Sequence, residues 1–527
     1  MTFEQKEYVT LAVLFLISFF VWTLPMKESS LPFGEGDAVH QFAHAEYYAL
    51  NNKATREMPF YLATWYAWEN KKDFFGPINA PPFFVNVALM QALGASRFLA
   101  PYLYYAIIGN FVVVLAVYFL MRKLYGYWHA ALSGFFLIFS FQNALSYVWG
   151  QRTILLAMSL IPLMLYCYYK YTESYYQKNE KKIYWYLIAV FLAIGSFTHP
   201  AMPFAAVSIL GVYTVILIVK HRILPFNIKT IIMSIAIFVL LFGPFIADYK
   251  NQGQSGLSSP EKMPLSTLFY LYKHTDPTEN PMMYSMETLI GGYWTVPLLL
   301  LGFFALLYRR NSSDLIMLSW FLGLYLILHI YILGFNPHVD RIVKGINHVL
   351  FPITVIGLLS IPSFFSVKKI RGIVRYCVIA VFVMMVILSN AKTTYNLMRT
   401  AYQPITRMNN AQLDAAQWIE KNIQESAVIY SLGSITYPKM RWLQVLSHHA
   451  QLPGMYLSLE QAENITTSFP VNNKVTHLLF DYSDAALLDN QQALQQLQQV
   501  ENTLVGNKSK PSQLVYNQNN IKVYQRG

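Results

Sequence analysis

The stretch YVTLAVLFLISFFVWTLP, residues 8–25, decides the class of fold, because it is apolar over a length that can cross a lipid bilayer. A transmembrane helix needs about 20 mostly apolar residues. A secretory signal peptide is the alternative, but the stretch has no basic segment before it and no small-residue cleavage site after it. It therefore predicts a first transmembrane helix that is retained.

The rest of the chain repeats this pattern. Of the 527 residues, 55% are hydrophobic and only 13% are charged, whereas soluble domains have about a quarter of their residues charged. The apolar residues are concentrated in long runs, which is typical of membrane proteins. We therefore predict a polytopic α-helical membrane protein with about 11 transmembrane helices. The segments lie near 8–25, 98–121, 127–145, 151–169, 183–198, 201–220, 229–248, 287–308, 314–334, 345–365 and 372–391.

The loops between these segments differ in charge, and the difference predicts the orientation. Basic residues are concentrated in the loops after the second, fourth, sixth, eighth and tenth segments, such as KHRILPFNIK at 220–229 and VKKIRGIVR at 367–375. Loops rich in Lys and Arg stay on the cytoplasmic side of a cell membrane. The N-terminus is therefore predicted to be cytoplasmic, and an eleventh helix places the C-terminal tail on the extracytoplasmic side.

The formal net charge of +12 could also indicate nucleic-acid binding. We exclude this partner, because the basic residues lie mainly in short loops between apolar segments, which fits membrane topology or contacts with anionic lipid. The two cysteines, Cys167 and Cys377, both lie inside apolar runs, so no disulfide framework is implied.

Two long segments, 26–97 and 249–286, are predicted to lie outside the membrane. The first contains PPFFVNVALMQALGA at 81–95, which is too short to span and is expected to lie at the interface or to re-enter. The second is rich in Gly, Ser and Pro and is expected to be a loop. Together with the helices they form a predicted transmembrane domain, residues 1–391.

From residue 392 the composition changes, and we predict a small external α/β domain over 392–527. Strand-length apolar runs occur at 426–433 and 476–484, with a last strand at the C-terminus. DAALLDNQQALQQLQQVEN, 484–502, predicts one amphipathic helix. The domain has neither a GxGxxG motif nor a P-loop, so neither a nucleotide nor a redox cofactor is expected.

The most unusual polar cluster is LPFGEGDAVHQFAHAEYY at 31–48, directly after the first helix. Glu35 and Asp37 lie two residues apart, and two nearby carboxylates can hold a divalent cation or provide a base. The alternative is a solvated loop in which Asp37 caps a helix through AVHQFAHAEYYAL. The flanking glycines allow a tight turn or close approach of a ligand.

His40 and His44 have a spacing of four residues, so they share one face of that helix. Such a pair can bind zinc, but a catalytic zinc site needs a third ligand. Hydrogen bonds to a ligand or to neighbouring helices are the alternative.

Two further candidates lie at predicted outer helix ends. Arg152 begins the fourth segment, where its guanidinium can bind a lipid-linked phosphate or extend to the outer headgroups. His199 lies in the very short turn between the fifth and sixth segments, where it is either a capping residue or part of a site.

The segment GFNPHVDRIVKGINHVLFP joins the ninth and tenth helices on the predicted outer side. It brings His338, Asp340, Arg341, Lys344 and His348 together within eleven residues. Arg341 and Lys344 can bind a phosphate or diphosphate leaving group. The alternative for Asp340 and Arg341 is a salt bridge within the segment.

These features together resemble the GT-C superfamily of integral-membrane glycosyltransferases, which use polyprenyl-phosphate-linked sugar donors. The resemblance is carried by GEGD at 34–37, by DAVHQFAHAEYY at 37–48 and by the tail opening DAAQWIEKNIQESAVIYS at 414–431. It implies many helices, a long first external loop with an acidic motif, and a soluble C-terminal domain.

The resemblance also implies roles for residues. Asp37 matches the first-loop aspartate, which acts as acceptor base or metal ligand, and Glu35 completes the acidic pair, with Mg or Mn as the cation. Arg152 and Arg341 are expected to meet the donor phosphate, by role and not by motif. The other candidates for substrate binding are His40, His44, His199, His338 and Lys344.

The sequence departs from the family in having no DxD in the first loop and no WWDYG in the tail. Transfer of whole glycans to asparagine is therefore not indicated. We expect an inverting transfer of one sugar from the lipid-linked donor to an extracytoplasmic glycan, lipid or protein of the cell envelope.

A transporter or lipid flippase, or a noncatalytic envelope-assembly protein, is the alternative. A transporter favours charges near the bilayer midplane, whereas the candidate polar groups here gather at predicted outer helix ends.

Overall fold

The structure is a computed structural model. It describes residues 3–28, 30–34, 36–51, 81–256, 263–273, 284–400, 407–424, 427–433, 437–453, 475–506 and 511–526.

The larger part of the chain is helical. The helices are α1 Phe3–Trp22, α2 Leu24–Glu28, α3 Gly36–Asn51, α4 Pro81–Ala92, α5 Ala100–Leu124, α6 Tyr127–Ile138, α7 Phe141–Val148, α8 Arg152–Tyr176, α9 Ile183–Thr198, α10 Met202–His221, α11 Ile228–Gly256, α12 Met286–Ile290, α13 Val296–Arg309, α14 Ser312–Leu328, α15 Val339–Phe364 and α16 Lys368–Arg399. A π-helical turn interrupts α5, and another interrupts α16.

A helix covers each of the eleven predicted positions, but the number of eleven spans is not confirmed. Within the described residues, six helices are long and apolar enough to cross a membrane, namely α1, α5, α8, α10, α15 and α16. The bent pair α6–α7 would be a seventh. The apolar parts of α9, α11, α13 and α14 are shorter, at 10–17 residues. A bilayer core of about 30 Å needs about 20 residues of straight helix, so these four helices do not by themselves confirm further complete spans.

The break between α6 and α7 bends the chain by 40°. Ser140 ends the first half and caps the second, since its side chain accepts a hydrogen bond from the backbone N–H of Asn143 at 3.2 Å. The hydroxyl of Thr394 donates to the carbonyl of Phe139 at 3.1 Å, which satisfies one of the groups that the break frees. Such a break is stable at membrane depth only where protein or water covers its polar backbone.

The C-terminal part forms one five-stranded sheet in the order β2–β1–β3–β5–β4. β1 is parallel to β2 and β3, whereas β5 is antiparallel to β3 and β4. Helices α17 to α20 accompany it. The elements are α17 Asn410–Asn422, β1 Val428–Gly433, α18 Tyr437–Ser447, β2 Ala450–Pro453, β3 His477–Asp481, α19 Ser483–Leu487, α20 Gln491–Val505, β4 Ser512–Gln518 and β5 Ile521–Arg526.

The strands predicted near 426–433, 476–484 and the C-terminus are present, and β2 and β4 were not predicted. The single helix predicted over 484–502 is wrong. It is two helices, because Asp489 has a left-handed backbone with φ 50° and Asn490 starts a new helix by capping Ala493. Helix α16 extends past residue 391 to Arg399, so the position at which the composition changes lies inside a helix.

Helix α3 joins the two parts of the molecule. Ala38, Val39 and Phe42 on α3 share one buried core with Trp442 of α18 and Ile429 of β1. The other face of the sheet has its own core, which includes Leu497 of α20. Helix α3 is therefore part of the core of the C-terminal domain.

Candidate functional site

The loop before α3 is fixed by hydrogen bonds from three distant parts of the chain. The backbone N–H of Phe33 donates to the hydroxyl of Tyr102 at 3.0 Å. The indole N–H of Trp442 donates to the carbonyl of Gly34 at 3.0 Å. The backbone N–H of Met408 donates to the carbonyl of Pro32 at 3.1 Å. The start of α3 is thereby held between the membrane helices and the C-terminal domain.

Two glycines make this arrangement possible. Gly34 has φ 108°, and a Cβ there would lie 3.0 Å from the carbonyl oxygen of Val148. Gly150 has φ 92°, and a Cβ there would overlap the backbone of Ala38. Only glycine adopts such backbone angles without strain. The first turn of α3 can therefore pack directly on the end of α7.

Asp37 lies in this first turn and pairs with a residue 304 positions away. Its Oδ2 accepts a hydrogen bond from Nη1 of Arg341 at 3.1 Å. The side chain of Asp37 is 45% exposed and that of Arg341 is 26% exposed, so both remain accessible to a substrate. Nε of Arg341 pairs with Asp340 at 3.1 Å. The salt bridge between Asp340 and Arg341 is therefore present, and the same arginine reaches the candidate base. Binding of a phosphate by Arg341 stays a prediction.

The other basic residues of this segment lie around the pair. Lys344 is fully buried, with Nζ 5.8 Å from the ring centre of Tyr284. Burial, together with the charges of Arg341, His338 and Lys344, lowers the pKa of His199 well below its usual value. Nδ1 of His199 accepts a hydrogen bond from the backbone N–H of Ala201 at 3.1 Å. The structure thus brings Asp37, His199, His338, Arg341 and Lys344 into one region.

Arg152 is fully buried and lies behind α3. Its Nη1 donates to Oε1 of Gln41 at 3.0 Å, and its guanidinium lies 4.2 Å from the ring centre of Tyr102 and 5.5 Å from that of Tyr147. Within the described part of the chain, Nε and Nη2 have no hydrogen-bond partner. A buried arginine with two unpartnered nitrogens still has N–H donors to offer to an oxyanion.

His40 and His44 occupy one side of α3, as their spacing predicted, with ring centres 6.3 Å apart. Nε2 of His40 contacts Nη2 of Arg441 at 3.2 Å, and Nδ1 of His44 bonds the carbonyl of His40 at 2.8 Å. His44 also stacks on Phe84 at 4.8 Å. Burial lowers the pKa of His44 to about 4 and that of His40 well below its usual value. Both imidazoles are therefore engaged with neighbouring protein groups.

The predicted carboxylate pair can be placed only in part, since Glu35 lies outside the described residues. Among the residues that the structure describes, no group of three or more His, Cys, Asp or Glu side chains could hold a metal ion. Asp37 itself is committed to Arg341 through one oxygen.

Three residues near the site were missed by the sequence analysis. Gln41 connects Arg152 to α3. The guanidinium of Arg407 lies 5.5 Å from the ring centre of Phe33 and donates to the carbonyl of Pro25 at 2.7 Å. Arg441 contacts His40. Nothing in the local sequence indicates these contacts, because Arg407 and Arg441 come from the distant tail.

Comparison with solved structures finds proteins of similar fold, whereas comparison by sequence finds no match. No protein-family profile matches the chain, and no curated protein matches it. Solved structures of two membrane enzymes do match. The archaeal oligosaccharyltransferase AglB from Archaeoglobus fulgidus, in complex with an inhibitory peptide and a dolichol-phosphate, aligns with a TM-score of 0.58 and 13% identity. The alignment covers 100% of this chain and 75% of that one.

The second match is ArnT from Cupriavidus metallidurans. Its apo structure aligns with a TM-score of 0.56 and 10% identity, and covers 99% of this chain and 98% of that one. ArnT bound to undecaprenyl phosphate aligns with a TM-score of 0.54. The oligosaccharyltransferase has also been solved in complex with Zn and sulfate, with a TM-score of 0.56. At such low identity the likeness establishes the fold alone: this chain shares the fold of AglB and ArnT.

Proposed function

We propose that the protein is a multi-pass membrane glycosyltransferase that moves one sugar from a polyprenyl-phosphate-linked donor to an extracytoplasmic acceptor, with inversion at the anomeric carbon. The observation that carries the proposal is the pair formed by Asp37 and Arg341. A half-exposed carboxylate and a guanidinium meet at the start of α3, in a fold shared with AglB and ArnT. Structures of those two proteins hold dolichol-phosphate and undecaprenyl phosphate.

The donor phosphate is proposed to bind to the basic groups around this pair. Arg341 is partly exposed and offers a planar set of N–H donors, which suits phosphate oxygens. Lys344 adds a second positive charge from inside the protein, and Arg152 has unpartnered donors behind α3. The lowered pKa of His199 keeps its imidazole neutral at physiological pH. Burial also lowers the pKa of His338, so both side chains can hydrogen-bond the substrate without adding charge.

Asp37 is proposed to act as the base. Its carboxylate takes the proton of the acceptor hydroxyl while that oxygen attacks the anomeric carbon from one face. The bond between this carbon and the phosphate oxygen breaks, and the lipid phosphate leaves from the opposite face with the electron pair. Stabilisation of the phosphate charge supplies the larger part of the acceleration, and the base adds roughly 10²–10⁴-fold.

The described residues do not place a divalent cation at Asp37 and Glu35, because Glu35 lies outside them. Asp37 uses one carboxylate oxygen for Arg341, and Lys344 carries a second positive charge in the same region. A hard cation needs several oxygen ligands. Two described carboxylates pair with Arg341, those of Asp37 and Asp340, and Asp340 forms its salt bridge within its own segment. The steps above therefore use the basic side chains and no metal.

The test is transfer of radiolabelled sugar from undecaprenyl-phosphate-linked donors by membranes that contain the protein or its Asp37→Asn variant. The variant should lose roughly 10²–10⁴-fold in rate, because it lacks the base. Asp340→Asn is the matched control, since Asp340 bonds the same arginine but has no proposed part in proton transfer, and it should lose less than about tenfold.

Retained transfer in Asp37→Asn would show that the base is assigned wrongly. If wild-type membranes transfer sugar from none of the donors, the proposed activity itself is wrong, and the transporter or assembly-protein alternative is favoured.

A further inference from the structure

Helix α7 carries three uncharged polar side chains that are buried and that have polar atoms without a hydrogen-bond partner among the described residues. Gln142, Asn143 and Ser146 are at most 1% exposed. In the part of the chain that the structure describes, both amide atoms of Gln142, Oδ1 of Asn143 and the hydroxyl of Ser146 have no partner. Residues three and four apart lie on one face of a helix. These groups therefore project from one side of α7.

A fourth group reaches the same region from α15. Asn347 is fully buried, and its Nδ2 donates to the hydroxyl oxygen of Ser140 at 2.8 Å. The same oxygen accepts the backbone N–H of Asn143, at 3.2 Å. Oδ1 of Asn347 has no partner within the described chain. The break of the α6–α7 pair thus gathers unsatisfied polar atoms from two helices.

Unsatisfied polar atoms are costly inside a protein, and the cost is larger where the surroundings are apolar. The set here combines an NH₂ donor, three amide oxygens and one hydroxyl, with no charge. A phosphate does not suit it, because three of the groups are acceptors that would repel an anion. A ring that carries several hydroxyl groups both donates and accepts, so it has a suitable partner for each kind of group in the set.

The position of the set agrees with that chemistry. Ser146 precedes Val148 by two residues, which is about 3 Å along a helix. The carbonyl of Val148 lies against Gly34, and Gly150 lies against Ala38, next to Asp37. Along α7, Ser146 is therefore about half a turn, and Gln142 less than two turns, from the residue that contacts Gly34.

We propose that Gln142, Asn143, Ser146 and Asn347 form a subsite for a neutral, hydroxyl-rich sugar ring at the break between α6 and α7. The proposal rests on the proposed function for the identity of the substrate, and it assigns the sugar to a different part of the protein from the phosphate. The ring can belong to the donor or to a sugar acceptor, since both have the same chemistry.

The test measures dissociation constants of the purified full-length protein. The donor probes are undecaprenyl phosphate alone and undecaprenyl phosphate that carries glucose, mannose or N-acetylglucosamine. The acceptor probes are the methyl glycosides of the same sugars, added with undecaprenyl phosphate. For wild type, at least one sugar should improve binding about tenfold, which corresponds to one additional net hydrogen bond.

Gln142→Leu and the milder Ser146→Ala should remove this gain and leave the affinity for undecaprenyl phosphate unchanged. Thr354→Val is the matched control, since Thr354 is also buried in α15 but its hydroxyl is satisfied by the carbonyl of Leu350 at 2.9 Å. Loss of the gain with the lipid-linked sugars assigns the subsite to the donor. Loss with the methyl glycosides assigns it to the acceptor.

The inference is overturned if wild type binds undecaprenyl phosphate and no sugar improves binding in either set of probes. It is also overturned if Gln142→Leu and Ser146→Ala keep the full gain, which would mean that these groups bind only internal water. Failure of wild type to bind undecaprenyl phosphate at all would instead count against the proposed function.

Discussion

Asp37 owes its proposed role to residues far from it in sequence. GEGD identified it as an acidic residue after the first helix, and the i, i+4 spacing of the residues that follow it predicted the helix whose first turn contains it. The partner Arg341 was a candidate for a different reason, as one of a group of basic residues between two helices. That the two meet at 3.1 Å could not be predicted, because one sequence gives no distance between positions 304 residues apart.

His44 provides a test of the environment of α3. Its pKa is lowered to about 4 by burial, while the unfolded chain titrates near 6.5. Below pH 6.5 the unfolded state therefore binds a proton that the folded state refuses, and stability falls as the pH falls towards 4. The contribution of His44 to this loss is about 2 kcal/mol at pH 5 relative to pH 7.5.

We expect His44→Phe to keep the stack on Phe84 and to reduce the fall of the unfolding midpoint between pH 7.5 and pH 5, as measured by thermal denaturation. The matched control is His221→Phe, at the C-terminal end of α10. An unchanged pH dependence in His44→Phe would mean that His44 is not buried as a neutral group.

For secondary-structure elements, the sequence predicts the positions of helices better than the positions at which they are interrupted. Apolar runs located a helix at every expected position, since length and composition are local properties. The run at 127–145 was expected to be one helix, but Ser140 bends it by capping a second helix. A serine inside an apolar run does not show by itself whether it caps a helix or hydrogen-bonds within one, because the packing around it decides.

Gly150 determines how closely the first turn of α3 packs on the end of α7. It has φ 92°, and a Cβ there would overlap Ala38 in the first turn of α3. Gly150→Ala should therefore displace α3, lower the unfolding midpoint and reduce sugar transfer more than tenfold. Gly126→Ala is the matched control: its φ is 96°, but a Cβ there meets nothing within 4 Å.

The control should show only the cost of backbone strain, about 1–3 kcal/mol for its φ 96° and ψ −173°, with transfer nearly intact. Equal loss of transfer in the two variants would mean that the contact between α7 and α3 does not position the site. Transfer and unfolding are measured on the same membrane preparations.

At the scale of the whole molecule, both ends of the chain build the site. The sequence predicted an external tail domain and a helix after the first transmembrane segment, but as separate features. Their common core could not be predicted. The sequence of α3 predicts a helix with apolar residues on part of its surface, and such a helix can pack on a membrane or on a sheet. Arg407, Arg441 and Trp442 therefore appear as site neighbours only in the folded protein.

The orientation of the molecule remains a prediction from the charges of its loops, and labelling tests it. In a Cys377→Ser background, a cysteine at Gln498 on α20 should react with a membrane-impermeant maleimide in intact cells. A cysteine at Lys178, in a basic loop, should react only after the membrane is opened. Both expected labelling results follow from the distribution of Lys and Arg among the loops. The reverse pattern would place the C-terminal domain in the cytoplasm.

A cryo-electron microscopy map of the full-length protein with undecaprenyl phosphate shows directly where the donor phosphate binds. We expect density for the phosphate within about 3 Å of the guanidinium of Arg341, next to Asp37, with the lipid chain leaving between the membrane helices. Arg341→Ala should remove that density. A phosphate bound at a different place, or density at this place that Arg341→Ala leaves unchanged, would contradict the account.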